Sequence, residues 1–352
     1  MISTMNVLSE SRYNYSSAAL IGAALVGTAI YFYSMSGATP AQKSTEETHL
    51  ATSQTVAGGS IPALNSYRLG NSLRSGNFVA DQPYKVPFSA ENVVAHLNEF
   101  FDRFYPQPPM PQTEIDAFTA QLTSAIEASP ETQKRVASFY ANIPGNQPMH
   151  RNLVRDMLAG SPVGRQMMLD EAKRVWSSKD TSLYQDMYET YYGFRGQASH
   201  EIISDAVARL NDTSVDKGTA IAALNLVSTL EKDDTVEGGQ LRKAATAQMD
   251  SLASGTGDKA VRAVAAQKLY QLSTPERAAD AAAGYLQKDG SNPLLLRLTL
   301  DAINSGDVEL TPALRSTLSN TMTRASTDPA QRKHFSELVS GRSASTTSTG
   351  SQ

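Results

Sequence analysis

Six times between residues 89 and 340 a short oxygen-bearing residue stands directly before a proline, with an amphipathic run behind it. The pairs are Ser129-Pro130, Ser161-Pro162, Thr274-Pro275, Asn292-Pro293, Thr311-Pro312 and Asp328-Pro329. The first residue of each pair can accept from the free N–H groups of a new helix. Proline at the first helical position loses nothing, because its missing N–H would have no partner there. The last four starts, at 275, 293, 312 and 329, fall 18, 19 and 17 residues apart. That spacing leaves about 14 helical residues and a short turn each, so consecutive helices must run antiparallel. Gly160, Gly255, Gly290 and Gly306 stand where helix C-terminal caps belong. No sustained run of alternating β-branched and aromatic residues occurs, so no substantial sheet is expected.

The periodicity agrees. Val261, Val264, Ala265, Leu269 and Leu272 form one inward stripe, and Ile221, Leu224, Val227, Ser228 and Leu230 another. The fold class that follows is all-α, with stacked antiparallel helix pairs in an α-solenoid-like body. Its period is near 36 residues, and each pair needs its neighbours to bury its apolar face.

The chain starts differently. Residues 18–35 carry no charge, and 18 residues is near the lower limit for a membrane-crossing helix. Tyr13 and Tyr15 precede the run, and Tyr31, Phe32 and Tyr33 close it, which suits two headgroup interfaces. The reading is a single transmembrane helix or signal anchor. The rival is a signal peptide cleaved after Ala38. Arg12 before the span leans towards an N-terminus in the cytoplasm, with the body on the other side, which in a bacterium is the periplasm across the inner membrane. Ala19, Ala23 and Gly27 make a small-residue stripe that could pair two such helices into a dimer, although small residues are common in any membrane helix.

The expected organisation is therefore a short segment 1–17, a membrane helix 18–35, a flexible linker 36–60, a loop-like docking segment 61–87, a helical-repeat domain 88–340 and a disordered tail 341–352. Residues 39–60 are rich in Thr, Ser, Ala, Gln and Gly, too polar to offset their ordering entropy, and would reach roughly 70 Å when extended.

Chemistry is sparse. With 0 cysteines there are no disulfides, thiolate metal sites or Cys nucleophile. The five histidines, His49, His96, His150, His200 and His334, never pair at i+3 or i+4. No phosphate-binding, dinucleotide or nucleophile-elbow motif occurs. A net charge of -4 argues against nucleic-acid binding. The chain is read as no enzyme, with no catalytic or metal-ligating residues and no cofactor. An envelope-polymer hydrolase would need two converging carboxylates, for which Asp170, Glu171, Asp186 and Glu189 are the available residues.

Two aromatic patches are the candidate partner-binding residues. Tyr184, Tyr188, Tyr192 and Arg195 lie beside a second stripe of Leu183, Met187, Tyr191 and Phe194, with Trp176 one helix earlier. Both stripes do not fit one narrow core. Either the helix has a wide buried face between layers, or Trp176, Tyr184, Tyr188, Tyr192 and Arg195 line a protein-binding groove, as interface anchors do. The other patch is Phe100-Phe101-Asp102-Arg103-Phe104-Tyr105, which reads either as a helix end packed on the next pair or as a contact surface.

Residues 258–272 resemble one half of a HEAT-type repeat. Residues 278–307, with Tyr285, Asp289, Asn292-Pro293 and Gly306-Asp307, resemble a tetratricopeptide-type hairpin. The whole layout also resembles the lipase-specific foldases, steric chaperones held in the bacterial inner membrane. Ser72-Leu73-Arg74-Ser75-Gly76 is similar to the segment that opens that family's folded region, and Phe101-Asp102-Arg103-Phe104 to its Phe-Asp-Tyr-Phe motif. Asn98 stands where the family has arginine, Arg103 where it has tyrosine, and Tyr105-Pro106 replaces Leu-Ser. The resemblance implies an all-helical body that wraps an exported enzyme, with Phe101, Asp102 and Phe104 carried over as contact residues. The expected function is a membrane-anchored helical scaffold for a partner protein on the extracytoplasmic side, and the alternative is a chaperone for an exported enzyme.

Overall fold

A computed structural model describes residues 86–104, 110–324 and 328–346, with side chains to residue 340. The expected membrane helix at 18–35, its Ala19, Ala23 and Gly27 stripe, the linker and the Ser72–Gly76 segment lie outside the described residues. Among those residues there are fourteen α-helices and no strand. None of these helices is long and apolar enough to cross a membrane. The chain divides into two compact units: 86–143 with 149–167, and 144–148 with 168–346.

The first unit contains α1 (Val93–Phe104), α2 (Gln112–Ala128), α3 (Pro130–Ala141), α4 (Pro148–Leu158) and the start of α5 (Pro162–Ser178). Its core is aromatic. Phe100 and Phe118 sit with ring centroids 4.3 Å apart, and Phe88 lies 5.0 Å from Phe118. Arg151 is 1% exposed, and one guanidinium nitrogen donates to the carbonyls of Tyr140 and Ile143 at 3.1 and 2.8 Å. A cation is buried here, next to the Tyr140 ring, because it bonds the carbonyl of Ile143, just past the end of α3, and adds a second donor to that of Tyr140, which also accepts from the Ile143 amide at 3.2 Å.

The second unit continues α5 and holds α6 (Tyr184–Gly193), α7 (His200–Arg209), α8 (Lys217–Val227), α9 (Val236–Ser254), α10 (Lys259–Gln271), α11 (Pro275–Asp289), α12 (Pro293–Ser305), α13 (Pro312–Met322) and α14 (Pro329–Thr346). Here α6, α8, α11, α12, α13 and α14 pack most closely on a helix two places along, whereas α9 and α10 pack most closely on each other and α7 on α8. The chain α6, α8, α10, α12, α14 makes one layer, and α7, α9, α11, α13 makes the other. The second-layer helices start at His200, Val236, Pro275 and Pro312, 36 to 39 residues apart, close to the period read from the sequence.

Neighbours within a layer are tied start to start. Lys217 opening α8 reaches Asp258, the cap of α10, at 3.5 Å. Asn292, the cap of α12, donates to the carbonyl of Lys259 at 2.9 Å, and Gln331 of α14 donates to the carbonyl of Pro293 at 2.8 Å. In the other layer the amide of Glu309, just before α13, donates to the carbonyl of Pro275 at 3.0 Å. Helices within a layer are therefore parallel, so consecutive helices, which alternate between layers over short turns, are antiparallel.

All six polar–proline pairs open helices. Ser129, Ser161, Asn292, Thr311 and Asp328 accept from backbone N–H groups of the first turn, whereas Thr274 makes no such bond. Of the four expected C-terminal glycines, Gly306 alone is left-handed, at φ 90. Gly290 stays right-handed in a turn leading straight to Asn292. The last helix runs through Gly341 to Thr346, into the segment expected as a frayed tail.

Asn292 is 1% exposed and serves three groups, the amides of Leu294 and Leu295 and the carbonyl of Lys259. Asn292→Ala is expected to cost about 2 kcal/mol, from the lost cap together with one lost tie between helices, and urea titration reads it as a lower midpoint at constant slope.

Candidate functional site

The aromatic patch at 176–195 is built on the end of α5, on α6 and on α7. Helix α5 ends at Ser178, and Lys179 turns the chain in the left-handed region, at φ 55. Asp180 then accepts from the amide of Ser182 and opens the 3-10 turn Thr181–Leu183 that leads into α6. Lys179 folds back so that its ammonium sits 3.1 Å from the centre of the Trp176 ring. Trp176 lies 6.3 Å from Tyr184, and Tyr184 packs edge-on against Tyr188 at 5.6 Å.

Tyr184, Tyr188 and Tyr192 are all buried, Tyr188 completely at 0% exposure, together with Met187, Thr190 and Tyr191. The wide buried face accounts for both stripes: α6 packs on α8 in its own layer and bonds to α7 in the other. Of the five residues singled out here, Arg195 is exposed and Trp176 is half-buried. A groove lined by the three tyrosines would require α6 to leave its layer.

The Thr190 hydroxyl has no hydrogen-bond partner inside this face, but the groups around Tyr188 are engaged. The Tyr188 hydroxyl donates to Asp205 of α7, and Asp205 also accepts from Arg209 Nε at 2.9 Å. The Arg209 guanidinium lies 4.3 Å over the Tyr184 ring. Burial, then the bond to Asp205, pushes the Tyr188 hydroxyl far above the ordinary phenol range, so it is a fixed donor and not an acid–base group. At the far end of α6, Tyr192 meets Lys268 of α10, whose ammonium is 5.4 Å from the ring centre. Lys268 is 6% exposed; desolvation lowers its pKa, while Tyr192 and Asp307 act the other way.

In the second patch Phe101 is buried, stacked 5.8 Å from Phe139 and edge-on to His150 at 4.7 Å. Asp102 is exposed and Phe104 half-buried, 5.8 Å from Phe100. Arg103 pairs with Glu114 of α2. Packing thus accounts for both phenylalanines in the foldase-like run, and Asp102 and Arg103 face outward, Arg103 paired with Glu114.

The carboxylates of the hydrolase reading make contacts along their own helices. Glu171 takes a two-pronged bond from Arg174 at 2.7 and 2.8 Å, Asp170 pairs with Lys173 at 3.9 Å, and Glu189 accepts from Gln185 at 3.1 Å. Asp186 is buried on α6. Among the described residues no group of three or more His, Asp or Glu side chains is placed to hold a metal ion.

Sequence reasoning missed three sets of partners. Asp205 and Arg209 are four residues apart on one helix, a spacing that marks a pair, but nothing local ties them to Tyr188. Lys268 lies 76 residues from Tyr192. His200 has no histidine at i+3 or i+4, yet Asp233 and Glu237 stand 33 and 37 residues further on, one repeat away. No family model matches the chain, and no curated protein or solved structure matches it.

Proposed function

We propose that this chain is a helical scaffold that holds a partner protein on its stacked helices and is carried at a membrane by residues 18–35, with the body on the extracytoplasmic side. The observation that supports it is the two-layer array of α6 to α14, in which each helix spends its apolar face on its neighbours. What such an array offers outward is an extended, preformed surface, and a rigid surface binds without first bearing an ordering cost. Anchoring would keep that surface at high local concentration beside anything else held at the membrane. The contact residues this reading retains are the exposed or half-buried ones: Trp176, Arg195, Asp102 and Phe104.

Two experiments test it. Fractionation of cells is expected to place the full chain with membranes, and deletion of residues 1–38 to release it; a full-length chain found in the soluble fraction refutes the anchor. A photo-activated crosslinker placed at Arg195 in living cells is expected to give one discrete protein adduct. No adduct there, at Trp176 or at Asp102 refutes the scaffold.

A further inference from the structure

His200 is the first residue of α7, and both of its ring nitrogens face carboxylates. Nε2 lies 2.6 Å from Asp233 Oδ2 and Nδ1 lies 2.9 Å from Glu237 Oε2. Asp233 ends the 3-10 turn Ser228–Lys232, and Glu237 is in the first turn of α9. The contact is thus the second layer's tie between the starts of α7 and α9, at the place where the other neighbours are joined by amides or by a lysine.

The surroundings hold the carboxylate in position. Asp233 Oδ1 accepts from the amide and hydroxyl of Thr235 at 3.0 and 2.6 Å, which leaves Oδ2 for the imidazole. Arg242 of α9 donates to the Asp233 carbonyl. Gly238 makes the room: a Cβ there would stand 2.2 Å from Asp233 Cγ. The remaining charges are otherwise engaged or face water. Lys217, the one charged residue of α8, pairs with Asp258, and on α7 itself Asp205 and Arg209 pair with each other. Glu201, Glu231, Lys232 and Asp234 are exposed.

A ring with a carboxylate at each nitrogen fits only the imidazolium, since a neutral imidazole has one N–H and would turn its lone pair towards the second carboxylate. We propose that His200 is a pH-sensitive staple of the second layer: protonated, it locks the start of α7 to the start of α9, and on losing its proton it lets that edge of the array open. The bonds to Asp233 and then Glu237 raise the histidine's pKa above its ordinary 6.5. A raised value means that the stabilisation is fully present below about 6.5 and fades as pH climbs through the folded-state value. Asp233 is held down at about 2, first by Thr235 and then by His200, so its own contribution fails only in strong acid. The staple is therefore closed in mild acid and opens on the alkaline side.

Hydrogen–deuterium exchange of the full chain, corrected for the intrinsic rate at each pH, tests this. Between about pH 5.5 and 8.5, peptides covering 200–209 and 233–242 are expected to lose roughly two- to fivefold in protection relative to the rest of the second unit. His200→Gln is expected to show the weaker protection at both pH values. Glu237→Gln, at a position 66% exposed and therefore safe for folding, is expected to keep the step but move its midpoint to lower pH. Wild-type protection that does not change with pH, a step that survives in His200→Gln, or an unmoved midpoint in Glu237→Gln each overturns the staple.

Discussion

Replacing Tyr188 with alanine is expected to cost the folded protein about 3–5 kcal/mol, the range for removing a buried aromatic ring from a packed face. The ring has no exposed surface and lies where α6, α7 and α8 converge, so little can collapse into the space it leaves. Tyr188→Phe separates packing from hydrogen bonding. It removes only the hydroxyl, and Asp205 keeps Arg209 as a donor, so about 1–2 kcal/mol is expected. Urea midpoints at unchanged slope measure both variants. Equal, small losses would mean that Tyr188 faces solvent, as a binding groove requires. A large loss for alanine and a modest one for phenylalanine would fit a ring whose work is internal.

Arg151→Met is the second large effect, in the other unit. Methionine keeps most of the alkyl packing but removes both donors to Tyr140 and Ile143 and the cation over the Tyr140 ring. Each charge-assisted bond is worth about 1.5–3 kcal/mol, and the Tyr140 carbonyl keeps the Ile143 amide as a donor, so a loss of about 3 kcal/mol is expected. Exchange at the C-terminal turn of α3 should rise before that of α1. A variant as stable as the parent would mean that water reaches those carbonyls.

Much of the fold can be read from local signals. The polar–proline pairs work because capping needs only three or four adjacent residues, and five of the six side chains make the bond. The period emerged for the same reason. Between 199 and 258 the caps Ser199, Asp216, Thr235 and Asp258 lack a following proline, and they carry the same bond with a weaker signature. What local signals cannot supply is which face of a helix meets a neighbour 30 to 80 residues away. Helix α8 is buried all round, and its sequence of alanines and leucines has no polar side to indicate orientation. The tyrosines of α6 were ambiguous because a Tyr ring suits an interface and a wet core equally well, and the deciding partner, Asp205, is on another helix. The candidate site was therefore legible as a cluster of side chains but not as inside or outside.

The start-to-start ties have an electrostatic consequence. Because neighbours in a layer point the same way, their peptide dipoles reinforce side by side, and the adjoining layer points the opposite way. The second unit therefore behaves as two facing plates of contrary polarity. From afar the two fields largely annul each other, while each rim carries alternating bands of opposite sign, perceptible only within about a Debye length of 8 to 10 Å.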